Sequence, residues 1–137
     1  MTLYVDTSAL VQRYVHDRHR ALVLDAMAGD DPWCTSALAR TEAQLVLHRA
    51  SASAHQQQAL WSALRDEWDA FWVVPLDDRC LAQAVQLGAT YRVRLVDAVH
   101  LAAAHRLPGP VRYLTLDRQQ IAAAAALGFE VVSPIEA

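Results

Sequence analysis

The chain opens Met1-Thr2-Leu3-Tyr4-Val5-Asp6-Thr7-Ser8-Ala9-Leu10, and the reading of this stretch decides the fold. Leu3, Tyr4 and Val5 make a short apolar run suited to a buried strand, and an aspartate follows with no intervening turn. Thr7 and Ser8 then lead into a new apolar run. A carboxylate at such a strand-to-helix junction has two explanations. Asp6, Thr7 and Ser8 are all residues that satisfy free N–H groups at a helix start. Alternatively, Asp6 sits where α/β folds gather their ligands, outside the carboxyl end of a strand.

Working outward from this junction, four more β-favouring segments stand out: Trp33–Thr35, Phe71–Val74, Arg112–Leu116 and Glu130–Val132. Between them lie alanine- and leucine-rich stretches with helical spacing, namely Ala37–Ala50, Ala54–Ala70, Asp77–Thr90, Leu95–Arg106 and Arg118–Leu127. One or two further helices are expected between Ser8 and Met27. Gly29, Gly88 and Gly128 fall where helix stops are wanted. Strands alternating with helices predict an α/β fold with a mainly parallel, five-stranded sheet covered on both faces. No repeat or linker divides the chain, so residues 1–137 are expected to form a single domain.

Composition narrows the class. A chain of 137 residues, 54% apolar and 20% charged, is long enough to bury about two-thirds of its unfolded surface. Its apolar runs are broken by charge short of the ~20 residues that a membrane span needs. No basic leader with an apolar core begins it, and Cys34 and Cys80 have no zinc-type spacing; a cytoplasmic protein with reduced thiols is expected. The net charge of −3 gives no broad cationic field, and all 12 basic residues are arginine.

Which polar residues follow the strands? Asp6 ends the first, and Asp117 ends the fourth, two residues after Thr115. Glu42 stands early in the helix after the second strand, and Asp97 lies inside an apolar helix among Leu95, Val96, Ala98, Val99 and Leu101. A carboxylate buried there without a partner would cost several kcal/mol or stay protonated. Either an ion pair, with Arg94 the nearest cation in sequence, or a bound metal would resolve this. Four carboxylates converging without histidine or cysteine suit a hard divalent cation such as magnesium, and argue against zinc.

At this point four stretches become recognisable: "YVDTSALVQRYVHD" (4–17), "LARTEAQLVLHR" (38–49), "RLVDAVHLAAAHRL" (94–107) and "YLTLDRQQIAAAAALGFEVVSP" (113–134). Together they resemble the PIN domain, and more closely the VapC type of ribonuclease toxin from bacterial toxin–antitoxin pairs. The resemblance spans nearly the whole chain. It implies a Rossmann-like three-layer α/β/α fold and metal-dependent hydrolysis of RNA phosphodiesters, with Mg²⁺ as cofactor and Mn²⁺ as a substitute. Asp6, Glu42, Asp97 and Asp117 match the family's metal-binding and catalytic acids. Thr7, Ser8 and Thr115 match the polar positions that support them. A metal on Asp6 and Asp97 could activate water, and a second, roughly 3.5–4 Å away, could stabilise the leaving oxygen. Glu42 and Asp117 could ligate directly or act through water. The resemblance further implies a VapB-type antitoxin as partner and a homodimer.

Other classes that place an aspartate at the first strand tip fit less well. Haloacid-dehalogenase-type phosphatases need a second aspartate two positions on, where Ser8 stands, and also a lysine. Response-regulator receivers need a lysine as well, and the chain has none. A PIN-like module that only binds protein or RNA, and a solitary PIN nuclease without antitoxin, remain alternatives. RNA contact is expected from local arginines, with Arg94 and Arg118 beside the acids as candidates. His100 and His105 read as packing or capping residues, and His16 and His19 as part of a solvated "HDRHR" run. Trp61, Leu64 and Trp68 fall at helical spacing and read as core, or else as a groove for a partner helix.

Overall fold

A computed structural model describes residues 1–134; residues 135–137, which the single-domain expectation includes, lie outside the described residues. Its strands are β1 (Thr2–Val5), β2 (Trp33–Ser36), β3 (Trp72–Val74), β4 (Val111–Leu114) and β5 (Glu130–Val132). They form one sheet in the order β3-β2-β1-β4-β5, and every neighbouring pair is parallel. The helices are α1 (Thr7–Leu10), α2 (Arg20–Met27), α3 (Ala37–Ala50), α4 (Ala54–Trp68), α5 (Asp78–Tyr91), α6 (Leu95–His105) and α7 (Arg118–Ala126), with a 3₁₀ turn at Val11–Arg13.

Alternation along the central strands sets the layers. Leu3 and Val5 of β1, with Leu114 of β4, pack on one side against Leu10, Val23, Ala43, Leu47 and Leu64 from α1 to α4. Tyr4 and Tyr113 point to the other side, against α5, α6 and α7. Helices on both faces shield the parallel strands from water. Tyr4 and Tyr113 are register partners across β1 and β4, and their rings stack with centroids 5.2 Å apart at an interplanar angle of 8°.

The strand order matters for function. From β1 the chain crosses to β2 and β3 on one side, then returns to β4 and β5 on the other. Strand order therefore reverses between β1 and β4, and a crevice opens at their carboxyl ends.

One detail departs from expectation. Gly88 does not end a helix; it lies within α5, where a Cβ would meet Ala98 Cβ at 3.5 Å and the Val93 carbonyl at 3.6 Å. The helix stops instead at Arg92, which takes the left-handed conformation (φ 55°) that glycine usually supplies. Of the two readings open for the tryptophans of α4, the structure agrees with the core one. Trp61 and Trp68 pack against the core around Leu64, and the Trp61 Nε1–H donates to the Gln44 carbonyl at 2.9 Å. Among the described residues no helix is long and apolar enough to cross a membrane.

Candidate active site

The crevice contains a cavity of about 210 Å³ lined by Asp6, Glu42, Asp97 and Asp117, with Thr7, Ser8, Arg94, His100 and Gln120. All four acids singled out in the sequence thus border one space, although they come from four separate segments.

Asp6 follows β1 directly and does both things its position suggested. It caps α1, its Oδ1 accepting the Ala9 N–H at 3.0 Å, and it borders the cavity. Ser8 donates to Oδ1 at 2.7 Å and Thr115 to Oδ2 at 2.6 Å. The Asp6 side chain is fully buried, and burial pushes its pKa upward despite these donors and the nearby His100. Thr115 in turn accepts the Asp117 N–H at 3.0 Å, and Ser8 accepts that of Leu116 at 2.9 Å. The two hydroxyls thereby tie the end of β4 to the end of β1.

Asp117 caps α7, accepting the Gln119 N–H at 2.9 Å. Glu42 lies on the second turn of α3, where Thr7 donates to its Oε1 at 2.6 Å and His100 Nε2 approaches at 2.8 Å. Burial would raise its pKa, but the His100 and Thr7 contacts outweigh this and hold it below the ordinary range. Asp97, on the first turn of α6, accepts from Gln120 Nε2 at 3.0 Å. It also takes a two-point contact from Arg94, Nε to Oδ2 at 3.0 Å and Nη2 to Oδ1 at 3.2 Å. Burial opposes ionisation here too, yet Arg94 and Gln120 hold the Asp97 pKa down.

Arg94 also reaches Asp117 Oδ2 at 3.2 Å. It is an internal counter-cation, neutralising two of the four acids from a side chain that remains 73% exposed. Among the described residues, no group of three acids, histidines or cysteines stands ready-made to hold a metal ion. The donor set nevertheless suits a hard divalent cation, because its four acids offer carboxylate oxygens, while the one histidine of the lining, His100, has both ring nitrogens engaged by Tyr4, Thr7 and Glu42. Glu42 Oε2 carries no hydrogen bond among those described, and the Asp97 and Asp117 oxygens now taken by Arg94 already serve a positive charge.

The other candidates fall into place around these acids. Thr7, Ser8 and Thr115 each donate to one of them. Arg118 is exposed at the start of α7 and does not line the cavity, so Arg94 is the nearer of the two arginines. His100 exceeds the packing role expected for it, since it is 1% exposed with a polar contact on each nitrogen. Sequence reasoning also passed over Gln120, 3% exposed against Asp97. Both look like ordinary helix residues in the sequence. The available signal was a polar side chain three residues after each of two site acids, on the same helical face.

Residues 3–126 match the PIN domain family. Ribonuclease VapC46 of Mycobacterium tuberculosis is 31% identical over 133 residues, covering 96% of this chain and 97% of that protein. Among solved structures, a toxin–antitoxin complex from Klebsiella pneumoniae matches with a TM-score of 0.70 and 22% identity, all of both chains being covered. FitAcB from Neisseria gonorrhoeae matches at 0.75 with 16% identity, over 97% of this chain and 98% of that one. VapBC2 from Rickettsia felis, bound to a DNA fragment from its promoter, matches at 0.69 with 14% identity, over 96% and 98%. The structural likenesses carry the fold, while the family match and the relative at 31% identity span nearly the whole sequence. The chain belongs to the PIN-domain family.

Proposed function

We propose that this protein is a magnesium-dependent endoribonuclease, with manganese as a substitute, acting as the toxin of a toxin–antitoxin pair. The observation that carries the reading is the switch-point cavity, where carboxylates from four segments share one space, each held by hydrogen bonds. The likeness to Ribonuclease VapC46 supplies the substrate class. Asp6, Glu42, Asp97 and Asp117 would hold the cation, which when bound supplies charge neutralisation at the scissile phosphate and activation of a water.

The chain's own residues do the rest. Ser8, Thr115 and the Ala9 N–H fix Asp6; Thr7 and His100 fix Glu42; Gln120 fixes Asp97. For Asp97 and Asp117 to serve as ligands, Arg94 must leave them. Its exposed guanidinium can then swing to the RNA, where a two-point contact to phosphate replaces the one to carboxylate. Arg118, exposed one residue after Asp117, would contact a neighbouring phosphate.

Apolar side chains border the acids in the cavity lining, with Val46 38% and Val96 36% exposed. A VapB-type antitoxin would cover them with an apolar segment and place an arginine among the acids, as Arg94 does within this chain. Solved relatives include toxin–antitoxin complexes, which supports such a partner. Residues 1–137 acting as one domain, a homodimer and a cytoplasmic location complete the reading. The deciding test is cleavage of total RNA by purified protein in magnesium, in manganese and in excess chelator, with Asp97→Asn as the control for contaminating nucleases. Cleavage in chelator equal to that in magnesium would refute metal dependence. Cleavage by the Asp97→Asn protein equal to wild type would remove the site.

A further inference from the structure

Behind the four acids, on the side away from solvent, lies a second polar layer. The Tyr4 hydroxyl stands 2.8 Å from His100 Nδ1, and His100 Nε2 stands 2.8 Å from Glu42 Oε1 and 3.0 Å from Thr7 Oγ1. Proton bookkeeping orders this chain. A carboxylate oxygen can only accept, so His100 carries a proton on Nε2, and in the neutral ring its Nδ1 then accepts from the Tyr4 O–H. Thr7 donates to Glu42 and presents a lone pair to His100. Next to it, the Tyr113 hydroxyl donates to Gln120 Oε1, which turns the Gln120 amide N–H₂ toward Asp97 Oδ1 at 3.0 Å.

The two chains share their root. Tyr4 and Tyr113 are register partners on β1 and β4, the strands that flank the switch point, and their rings stack face to face. Phe129 extends the stack from Tyr113, its centroid 5.5 Å away. Both tyrosines are fully buried, His100 is 1% exposed and Gln120 3%. Phenylalanine, leucine or alanine would fill this volume with no polar group to satisfy. Here four buried polar side chains are each satisfied, and each line ends on an acid of the cavity.

We infer that the stacked Tyr4–Tyr113 pair is a common anchor that aims two acids of the site, Glu42 through His100 and Asp97 through Gln120. These four are positioning residues: Tyr4 and Tyr113 lie beneath the cavity, His100 and Gln120 border it with their polar atoms engaged by a tyrosine and an acid, and together they fix the angle at which two carboxylates face the cavity. The inference rests on the proposed metal site, and it says which of this chain's residues set that site's affinity for a cation. Outer partners of ligating side chains commonly tune metal affinity by 10- to 100-fold.

The test is manganese binding by the full-length protein, followed by electron paramagnetic resonance, beside melting curves in chelator and steady-state cleavage of an RNA oligonucleotide. His100→Leu and Gln120→Leu should each weaken manganese binding about tenfold or more, and lower kcat with little change in KM for RNA. His100→Gln, which keeps an N–H directed at Glu42, should recover part of that loss. Tyr4→Phe and Tyr113→Phe keep the stacked rings and the packing, and should each weaken manganese binding by about threefold. Tyr4→Phe added to His100→Leu should change nothing further, because Tyr4 acts through His100. Merely structural residues would lower the melting temperature and leave manganese affinity and kcat as in wild type, and that result overturns the inference. Should either leucine variant fail to fold, unchanged manganese affinity in both phenylalanine variants overturns it equally. Wild-type protein that binds no manganese would overturn the metal site and this inference together. Manganese binding lost in Asp97→Asn but kept in the anchor variants would overturn this inference alone.

Discussion

Asp6 shows how one carboxylate can serve a helix and a site at once. Its capping bond to Ala9 would survive replacement by asparagine, which caps about as well, whereas its charge would not. Burial raises the Asp6 pKa, so the ionised form weakens the metal-free fold. In chelator, Asp6→Asn should therefore be more stable than wild type near neutral pH. The difference should fade as pH falls through the raised folded value toward about 4, the value of the unfolded chain. Glu42 and Asp97 run the other way. Their lowered pKa values mark stability that is present above about pH 4 and lost as pH falls through the folded values. Melting curves in chelator, run from neutral pH to well below pH 4, would check both signs, and an Asp6→Asn advantage that grew toward pH 4 would contradict the first. Arg94 supplies the sharpest split at this scale. Arg94→Gln removes a cation that competes for Asp97 and Asp117, so manganese should bind more tightly while RNA binds less well. The salt slope of RNA binding should shrink by about 0.7, the value of one lost phosphate contact on a single strand. Tighter RNA binding, or an unchanged slope, would take Arg94 out of the interface.

Among the elements, α5 and α6 carry two local conflicts that packing has overruled. Arg92 holds a left-handed conformation that costs an L residue about 1–2 kcal/mol. Arg92→Gly should relieve that strain and raise stability by about 1 kcal/mol, read as a shift in the denaturation midpoint. Gly88 lies inside a helix, where glycine costs about 0.5–1 kcal/mol relative to alanine. The Cβ of Gly88→Ala would meet Ala98 at ordinary contact distance, so this variant should stabilise by a similar amount. A loss in Gly88→Ala would mean that α5 and α6 approach more closely than those distances imply. The same elements show what the sequence could reveal. Asp6 and Asp117 were legible because each follows a strand and opens a helix, and Asp97 because a charge interrupts an apolar helix. Glycine as a stop signal failed at Gly88 because its packing against α6 is a tertiary fact. His100 and Gln120 escaped for the same reason. Periodicity says that their faces are buried, while their partners Tyr4 and Glu42, and Asp97, lie 96, 58 and 23 residues away. Thr7, Ser8 and Thr115 were found only as polar positions, and their assignment to particular acids required the folded distances.

At the scale of the whole molecule, the four acids span the chain from residue 6 to residue 117 and sit on both sides of the β1–β4 junction. Thr115 and Ser8 already link the two strand ends, and the Tyr4–Tyr113 stack links the strands one layer deeper. A cation held by Asp6, Glu42, Asp97 and Asp117 would add a third link, joining β1, α3, α6 and the start of α7. Binding to the native state alone stabilises by RT ln(1 + [L]/Kd), about 2.7 kcal/mol at a hundredfold excess over Kd. For a chain of this size that corresponds to a rise in Tm of roughly 10 °C. Because the ligands come from distant segments, the gain should not stay local. Hydrogen exchange of β1 and β4 amides should slow together with that of α3 and α6 when magnesium is added. Exchange should stay unchanged in α2, which contributes no acid to the cavity, wherever its amides open by local fraying. In Asp97→Asn the thermal gain should shrink and the concerted slowing disappear. A gain as large as wild type's, or protection confined to one helix, would mean that the cation binds elsewhere on the surface and that the four carboxylates are held together by Arg94 and the hydroxyls alone.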